Sequence, residues 1–242
     1  MTTPGLLAIP LICGLAFVTA ATSAADWQKL LDSARESVAP AAGGGGEVAS
    51  GLKEALGQGA RYAVDALGRD DGFLQNPQVR IGLPGGVDTL AKGLRAAGQG
   101  AQVDAFEASM NRAAEAAVPA SLEVLEGTIG RMTIADAQGI LQGGDTAATD
   151  YLRRTGGQDI EARMLPIVAK ATDDVGVTRQ YKQLLASAGT VGSLLGGNLD
   201  LDSYVTEQAV DGLFQMIAAE EKRIRTDPVA RGSELLKKVF GG

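Results

Sequence analysis

Apolar residues recur every three or four positions along most of this 242-residue chain, and they are mainly Ala, Leu and Val. That spacing puts them on one face of an α-helix, which must then be buried against a neighbour. The stretch from Val103 to Val118 is a clear case, with Val103, Phe106, Met110, Ala113, Ala114 and Ala117 in one stripe. Aromatic residues make up only 4% of the chain. An interior so lean in rings suits helices packed closely together better than a β-sandwich. The expectation is an all-α fold, a compact multi-helix bundle of about ten helices.

Helical patterns run through 47–68, 87–99, 102–118, 120–130, 133–142, 145–154, 158–175, 177–188, 203–226 and 228–240. Thr133 and Asp145 are placed as N-caps, and Asp202 or Ser203 precedes the helix expected to be longest. Pro119 and Pro228 stand where a first turn tolerates a missing N–H. Gly68, Gly130 and the Gly143-Gly144 pair read as stops. One segment breaks the period: Val79, Ile81 and Leu83 alternate with Arg80 and Gly82, between Pro77 and Pro84. Period-two alternation bounded by proline predicts a short extended segment near residues 77–84. Phe73, Val79, Arg80 and Ile81 then either line a groove or pack onto the bundle.

The first residues read as an address. Gly5 to Val18 is apolar and uncharged, and Thr22-Ser23-Ala24-Ala25 follows with small residues. A run too short for a comfortable membrane span, ending in small residues, predicts a signal peptide over residues 1–24 and export to the periplasm. No Lys or Arg precedes that run, which leaves an uncleaved anchor as the alternative. Residues 25–46 read as an amphipathic helix, carrying Trp27, Leu30, Leu31, Ala34 and Val38 on one face, and a Gly-rich linker. Residues 47–242 follow as a single helical domain.

Composition excludes several chemistries. There is no His, so a His-based triad, a His-ligated zinc and an imidazole proton shuttle are all ruled out. The one Cys, Cys13, lies in the expected leader. A formal net charge of −7 with no long run of Lys or Arg makes nucleic acid and anionic lipid surfaces poor partners. Asn198, Asp200 and Asp202 alternate like calcium ligands, but Ser203 stands where that loop needs Gly and Ala209 where it needs Glu. They fit better as caps of the following helix. Gly82 to Gly86 has neither the spacing nor the Lys of a phosphate loop. No metal or cofactor is expected, and no nucleophile is assigned.

Several stretches carry a resemblance: Gly51 to Leu56, Asp71 to Ile81, Ser109 to Pro119, Thr133 to Ala137, Gly143 to Thr149, and Leu235 to Phe240. In sequence and order they resemble a bacterial family catalogued as domain of unknown function 4197. The resemblance implies an exported, helical, single-domain protein of Gram-negative bacteria with no established activity and no catalytic residues to transfer. The Gly43–Gly46 run and the missing basic start of the leader depart from the family's pattern.

Two polar clusters stand out. On the helix at 203–226, Glu221 falls on the apolar stripe of Val210, Leu213, Phe214, Ile217 and Ile224, with Glu220 at its edge. A carboxylate there needs a cation or a raised pKa, and Arg225, four residues on, can supply the cation. On the helix at 102–118, Glu107, Asn111 and Glu115 run beside the core stripe in four-residue steps, with Arg112 next to them. Asn111 and Arg112 can recognise a carboxylate or carbonyl ligand, or tie their helix to a neighbour, for instance to Glu220 or Glu221.

Three functions fit. The leading expectation is a non-catalytic periplasmic protein binding an apolar ligand, a lipid or hydrophobic peptide, in a bundle groove. The second is a protein-interaction or envelope-assembly factor that docks on an envelope protein. The third is a carboxylate-dependent enzyme using Glu220 and Glu221.

Overall fold

Helix formation starts inside the glycine run. The structure is a computed structural model describing residues 44–174, 176–187, 189–190 and 200–226. The first helix, α1, is Gly44–Leu67, so Gly44 to Gly46 form its opening turn instead of the expected linker. At Gly45 an added Cβ would stand 3.3 Å from Ile134 Cγ2. The missing side chain therefore lets a neighbouring helix approach closely. The expected leader, the helix at 26–38, Asn198 and the helix at 228–240 with Pro228 lie outside the described residues.

The other elements are α2 (Gly85–Ala96), α3 (Gly100–Ala117), a 3-10 turn (Val118–Ala120), α4 (Ser121–Arg131), α5 (Ile134–Gln142), α6 (Ala147–Asp174), α7 (Val177–Ser187) and α8 (Leu201–Thr226). Among the described residues the fold is all-α, with eight α-helices and no strand. Helix α6 packs on α8, α3 and α4, while α1 packs on α4, α8 and α5, and α3 also carries α2 and α7.

The count falls short of ten partly because the helices expected at 145–154 and 158–175 are one. The 28-residue α6 runs straight through Gly156-Gly157 and past Pro166, and it, not α8, is the longest. Its buried residues Ala148, Leu152, Gly156, Ile160, Met164, Val168 and Thr172 follow one another in four-residue steps. Each such step overshoots a full turn by about 40°. The buried stripe therefore winds round the helix, which meets different partners along its length and never shows one continuous apolar face. Gly156 is a contact point: an added Cβ would stand 2.8 Å from Thr128 Oγ1 on α4. Pro166 and Ala162, whose carbonyl the proline leaves without its usual N–H, are both exposed residues.

Caps follow the sequence in part. Thr133 accepts from the Asp136 N–H at 3.1 Å while Asp136 accepts from the Thr133 N–H at 2.9 Å, a complete capping box. These bonds, that of the Thr133 hydroxyl first, hold the Asp136 carboxyl below its usual range. Of the caps expected for α8 it is Asp200 that serves, rather than Asp202 or Ser203: it accepts from the Ser203 N–H at 3.0 Å, and that bond lowers its pKa. Asp202 instead accepts from the Thr172 hydroxyl of α6 at 2.6 Å. Asp145 is exposed and caps nothing.

The segment expected to be extended over 77–84 is half turn. The Val79 and Arg80 N–H groups donate to Asn76 O at 3.2 and 2.9 Å, and the Asn76 side chain accepts from the Gln78 N–H at 3.1 Å. An Asn before Pro offers the backbone this local alternative. Only residues 80–84 lack helix and turn, ending at Pro84 with φ −60° and ψ 144°.

Candidate functional site

The loop from Gly68 to Pro84 closes its own turns at Gly72, Gln75, Asn76, Val79 and Arg80, and one helix supplies partners for N–H groups that those turns leave over. Along α3, Glu107, Asn111 and Glu115 are spaced so that all three face the loop. Glu115 accepts from the N–H groups of Phe73 at 3.0 Å and Leu74 at 3.3 Å. Asn111 accepts from the Ile81 N–H at 2.9 Å and donates back to the Ile81 carbonyl at 2.9 Å, taking the place that an adjacent strand would have. Its amide also donates to Glu107 O at 2.8 Å. Glu107 takes Arg80 at 2.9 Å and Arg95 at 3.3 Å. From α8, the Tyr204 hydroxyl donates to Gly82 O at 2.9 Å; burial pushes its phenol pKa up, keeping the proton on the donor.

The four groove candidates therefore part company. Phe73, Val79 and Ile81 are buried in the core, and only Arg80 is exposed. Phe73 and Val79 seat against Gly212 of α8, where an added Cβ would stand 2.8 Å from Phe73 Cε1 and 3.1 Å from Val79 Cβ. The alternation seen in the sequence is core packing, not a groove.

The second cluster lies at the corner between α5 and α6. Glu221 is 6% exposed and takes five hydrogen bonds. Its oxygens accept from the N–H of Ala148 at 3.0 Å, from the N–H and hydroxyl of Thr149 at 2.9 and 2.8 Å, and from Arg225 Nε and Nη2 at 3.0 and 2.8 Å. Ala148 and Thr149 are in the first turn of α6. A carboxylate from α8 thus caps a helix that begins 74 residues earlier in the chain, at Ala147, the role expected of Asp145. Arg225 Nη2 also donates to Ile140 O at 3.0 Å, a carbonyl in the last turn of α5. Negative charge meets the start of one helix and positive charge the end of another, as both helix dipoles require. Glu220 is held by Arg223, with Nε to Oε2 at 2.8 Å.

The sequence offers Asn111, Arg112, Glu115, Glu220, Glu221 and Arg225 as candidates in two clusters that a tie from Asn111 or Arg112 would join; the structure makes two structural clamps, a Glu220–Arg223 pair and a remainder. Neither Asn111 nor Arg112 reaches Glu220 or Glu221: the tie from α3 runs to the loop. Glu221 sits buried among its partners with no open face for a reaction. Arg112 is the remainder. It is exposed and makes no hydrogen bond or ion pair with the described residues. It lines an open cleft of about 480 Å³ with Gly68, Asp70, Asp71, Glu115 and Ala116.

Two more open clefts flank the same loop. One of about 590 Å³ includes Tyr62, Arg69, Asp70, Pro77 and Met216; another of about 690 Å³ includes Leu74, Gln75, Pro77, Arg80 and Asp104. Loop residues missed in the sequence are thus Arg69, Asp70 and Gln75, and the signal for them was the Asp71-Gly72 turn. Asp71 adopts φ +61°, and Gly72 has no room for a Cβ, which would stand 2.5 Å from Leu67 O. By contrast, an apolar void among Leu52, Ala55, Leu56, Ala148 and Ile224 holds only about 10 Å³, no more than one water-sized probe. Among the described residues no group of three or more acidic or Cys side chains is placed to hold a metal, and no helix is long and apolar enough to cross a membrane.

Residues 44–241 match a family model described as Protein of unknown function (DUF4197). No curated protein and no solved structure matches the chain.

Proposed function

The chain belongs to the DUF4197 family, whose description names no activity, and from its geometry we propose that it is a non-catalytic, exported protein-interaction factor that presents the loop at 68–84 as its recognition surface. Export rests on the apolar run from Gly5 to Val18 and the small residues after it. The observation that carries the reading is the way the loop is built. The loop's Phe73, Leu74 and Ile81 N–H groups are held by Glu115 and Asn111, and its Phe73, Val79 and Ile81 side chains are sunk in the core. Its polar residues stand between three open clefts. A loop fixed before binding loses little conformational entropy on docking, which is how a small surface gains affinity.

The apolar-ligand reading needs a chamber of roughly 300 Å³ or more, and the small void beside Leu52 and Leu56 does not offer one. The enzyme reading needs Glu220 and Glu221 free to face a cleft; both carboxylates are engaged by arginines.

Photo-crosslinking in the producing cell tests the proposal. A photoreactive residue at Gln75 is expected to yield discrete adducts of defined mass, and one at Glu161, in a cleft between α6 and α8, is not. Equal labelling from both positions, or none at Gln75, removes the loop from the interface.

A further inference from the structure

We propose that the cleft between Arg112 and the Asp70-Asp71 pair is a binding site for a peptide segment that carries a carboxylate and a cation side by side. The inference rests on the loop being a recognition surface and specifies what that surface takes.

It follows first from elimination. Asn111, Glu115 and Glu107 are engaged at the loop, Glu221 and Arg225 at the corner of α5 and α6, and Glu220 pairs with Arg223. Of these cluster residues Arg112 alone makes no hydrogen bond or ion pair with the described residues, although three acidic residues line its cleft. Glu115 gives its Oε1 to the Phe73 and Leu74 N–H groups, is 5% exposed and makes no ion pair with Arg112. A guanidinium that has kept its planar fork of donors unengaged is suited to a bidentate carboxylate.

The walls then set the ligand's second charge. Asp70 and Asp71 face the same cleft. With one cation unpaired among the described residues and the carboxylates of Asp70 and Asp71, the latter accepting from Gln75 Nε2 at 2.6 Å, the site repels a bare dianion and favours a ligand whose carboxylate lies next to an ammonium or guanidinium. The floor is small, because Ala116 sits one turn along α3 from Arg112 and Gly68 has no side chain. The wall is fixed, because Gly72 has no room to become anything else and Glu115 bonds the next two N–H groups.

Amide NMR of the full chain, titrated at low salt with N-acetyl-Lys-Glu-amide, tests this directly. Saturable shifts are expected at Gly68, Asp70, Asp71 and Ala116. N-acetyl-Ala-Glu-amide and N-acetyl-Lys-Ala-amide, each lacking one charge, are expected to bind about ten-fold more weakly, a difference of about 1.4 kcal/mol. Arg112→Gln is expected to weaken the Lys-Glu peptide by about ten-fold or more, with Arg112→Lys in between, and an unchanged thermal midpoint shows that the variants fold. Absence of saturable shifts, shifts confined to other surfaces, or equal affinity in Arg112→Gln overturns the site. Equal binding of the Ala-Glu peptide overturns the role of Asp70 and Asp71. Peptide binding at the cleft without adducts at Gln75 leaves the site standing and removes the protein partner.

Discussion

Glu115 on α3 and Glu221 on α8 are both nearly buried, and each accepts from two consecutive backbone N–H groups of a distant segment: Phe73 and Leu74 for one, Ala148 and Thr149 for the other. They differ in what stands beside them. Glu221 has Arg225 at 2.8 Å, and that same guanidinium reaches the end of α5. Glu115 has no cation within ion-pair distance among the described residues, and it serves a loop, not a helix end. The corner at α5 and α6 is thus held by opposite charges matched to two helix dipoles, while the Phe73–Leu74 end of the loop is held by a carboxylate with no cation paired to it among the described residues. A carboxylate that only accepts can be replaced by any acceptor of its shape. One that also balances a guanidinium cannot.

That contrast breaks most sharply at Glu221. Glu221→Gln keeps an acceptor for α6 but removes the charge beside Arg225; a loss of about 3 kcal/mol or more in urea unfolding is expected, the scale of a broken buried pair. A loss under about 1 kcal/mol would make the two anchors equivalent. Next in size is Asn111→Ala, which strips the N–H and C=O of Ile81 of their partner; about 2–3 kcal/mol is expected, with faster hydrogen exchange across residues 79–82. Gly212→Ala probes the same loop from the opposite side. Its Cβ would meet Phe73 and Val79 at 2.8 and 3.1 Å, and an overpacking cost of about 2 kcal/mol is expected. Glu115→Gln sharpens the comparison from below: its amide oxygen still serves Phe73 and Leu74, so about 1 kcal/mol is expected.

The smallest effect is electrostatic. The Asp136 and Asp200 carboxyls have pKa values below the ordinary carboxylate range because Thr133 and Ser203 donate to them. Each binds its proton more weakly folded than unfolded. Its stabilisation is therefore complete above the unfolded pKa and is lost as pH falls through the folded one. Asp136→Asn and Asp200→Asn should lower the urea midpoint at pH 7 and converge with the parent in acid. A difference that persists or grows at low pH would place the cause elsewhere.

What the chain alone determined is whatever repeats within one helical turn. The all-α class, the stripe on α3, the row of Glu107, Asn111 and Glu115, the capping box at Thr133 and the pairing of Glu221 with Arg225 are all set by residues three or four apart. Their geometry is that of a helix, whatever surrounds it. Tertiary structure decided who receives each polar group. Glu221 caps α6 from 73 residues away, Asn111 replaces a strand for Ile81 at 30, and Arg112 has no partner among the described residues. Orphan N–H groups accept any carboxylate or amide that packing brings near, and local spacing carries no record of which one arrives. The split expected in α6 has the same origin: its four-residue stripe turns round the helix to follow its neighbours, so no single face stays apolar across Gly156 and Gly157.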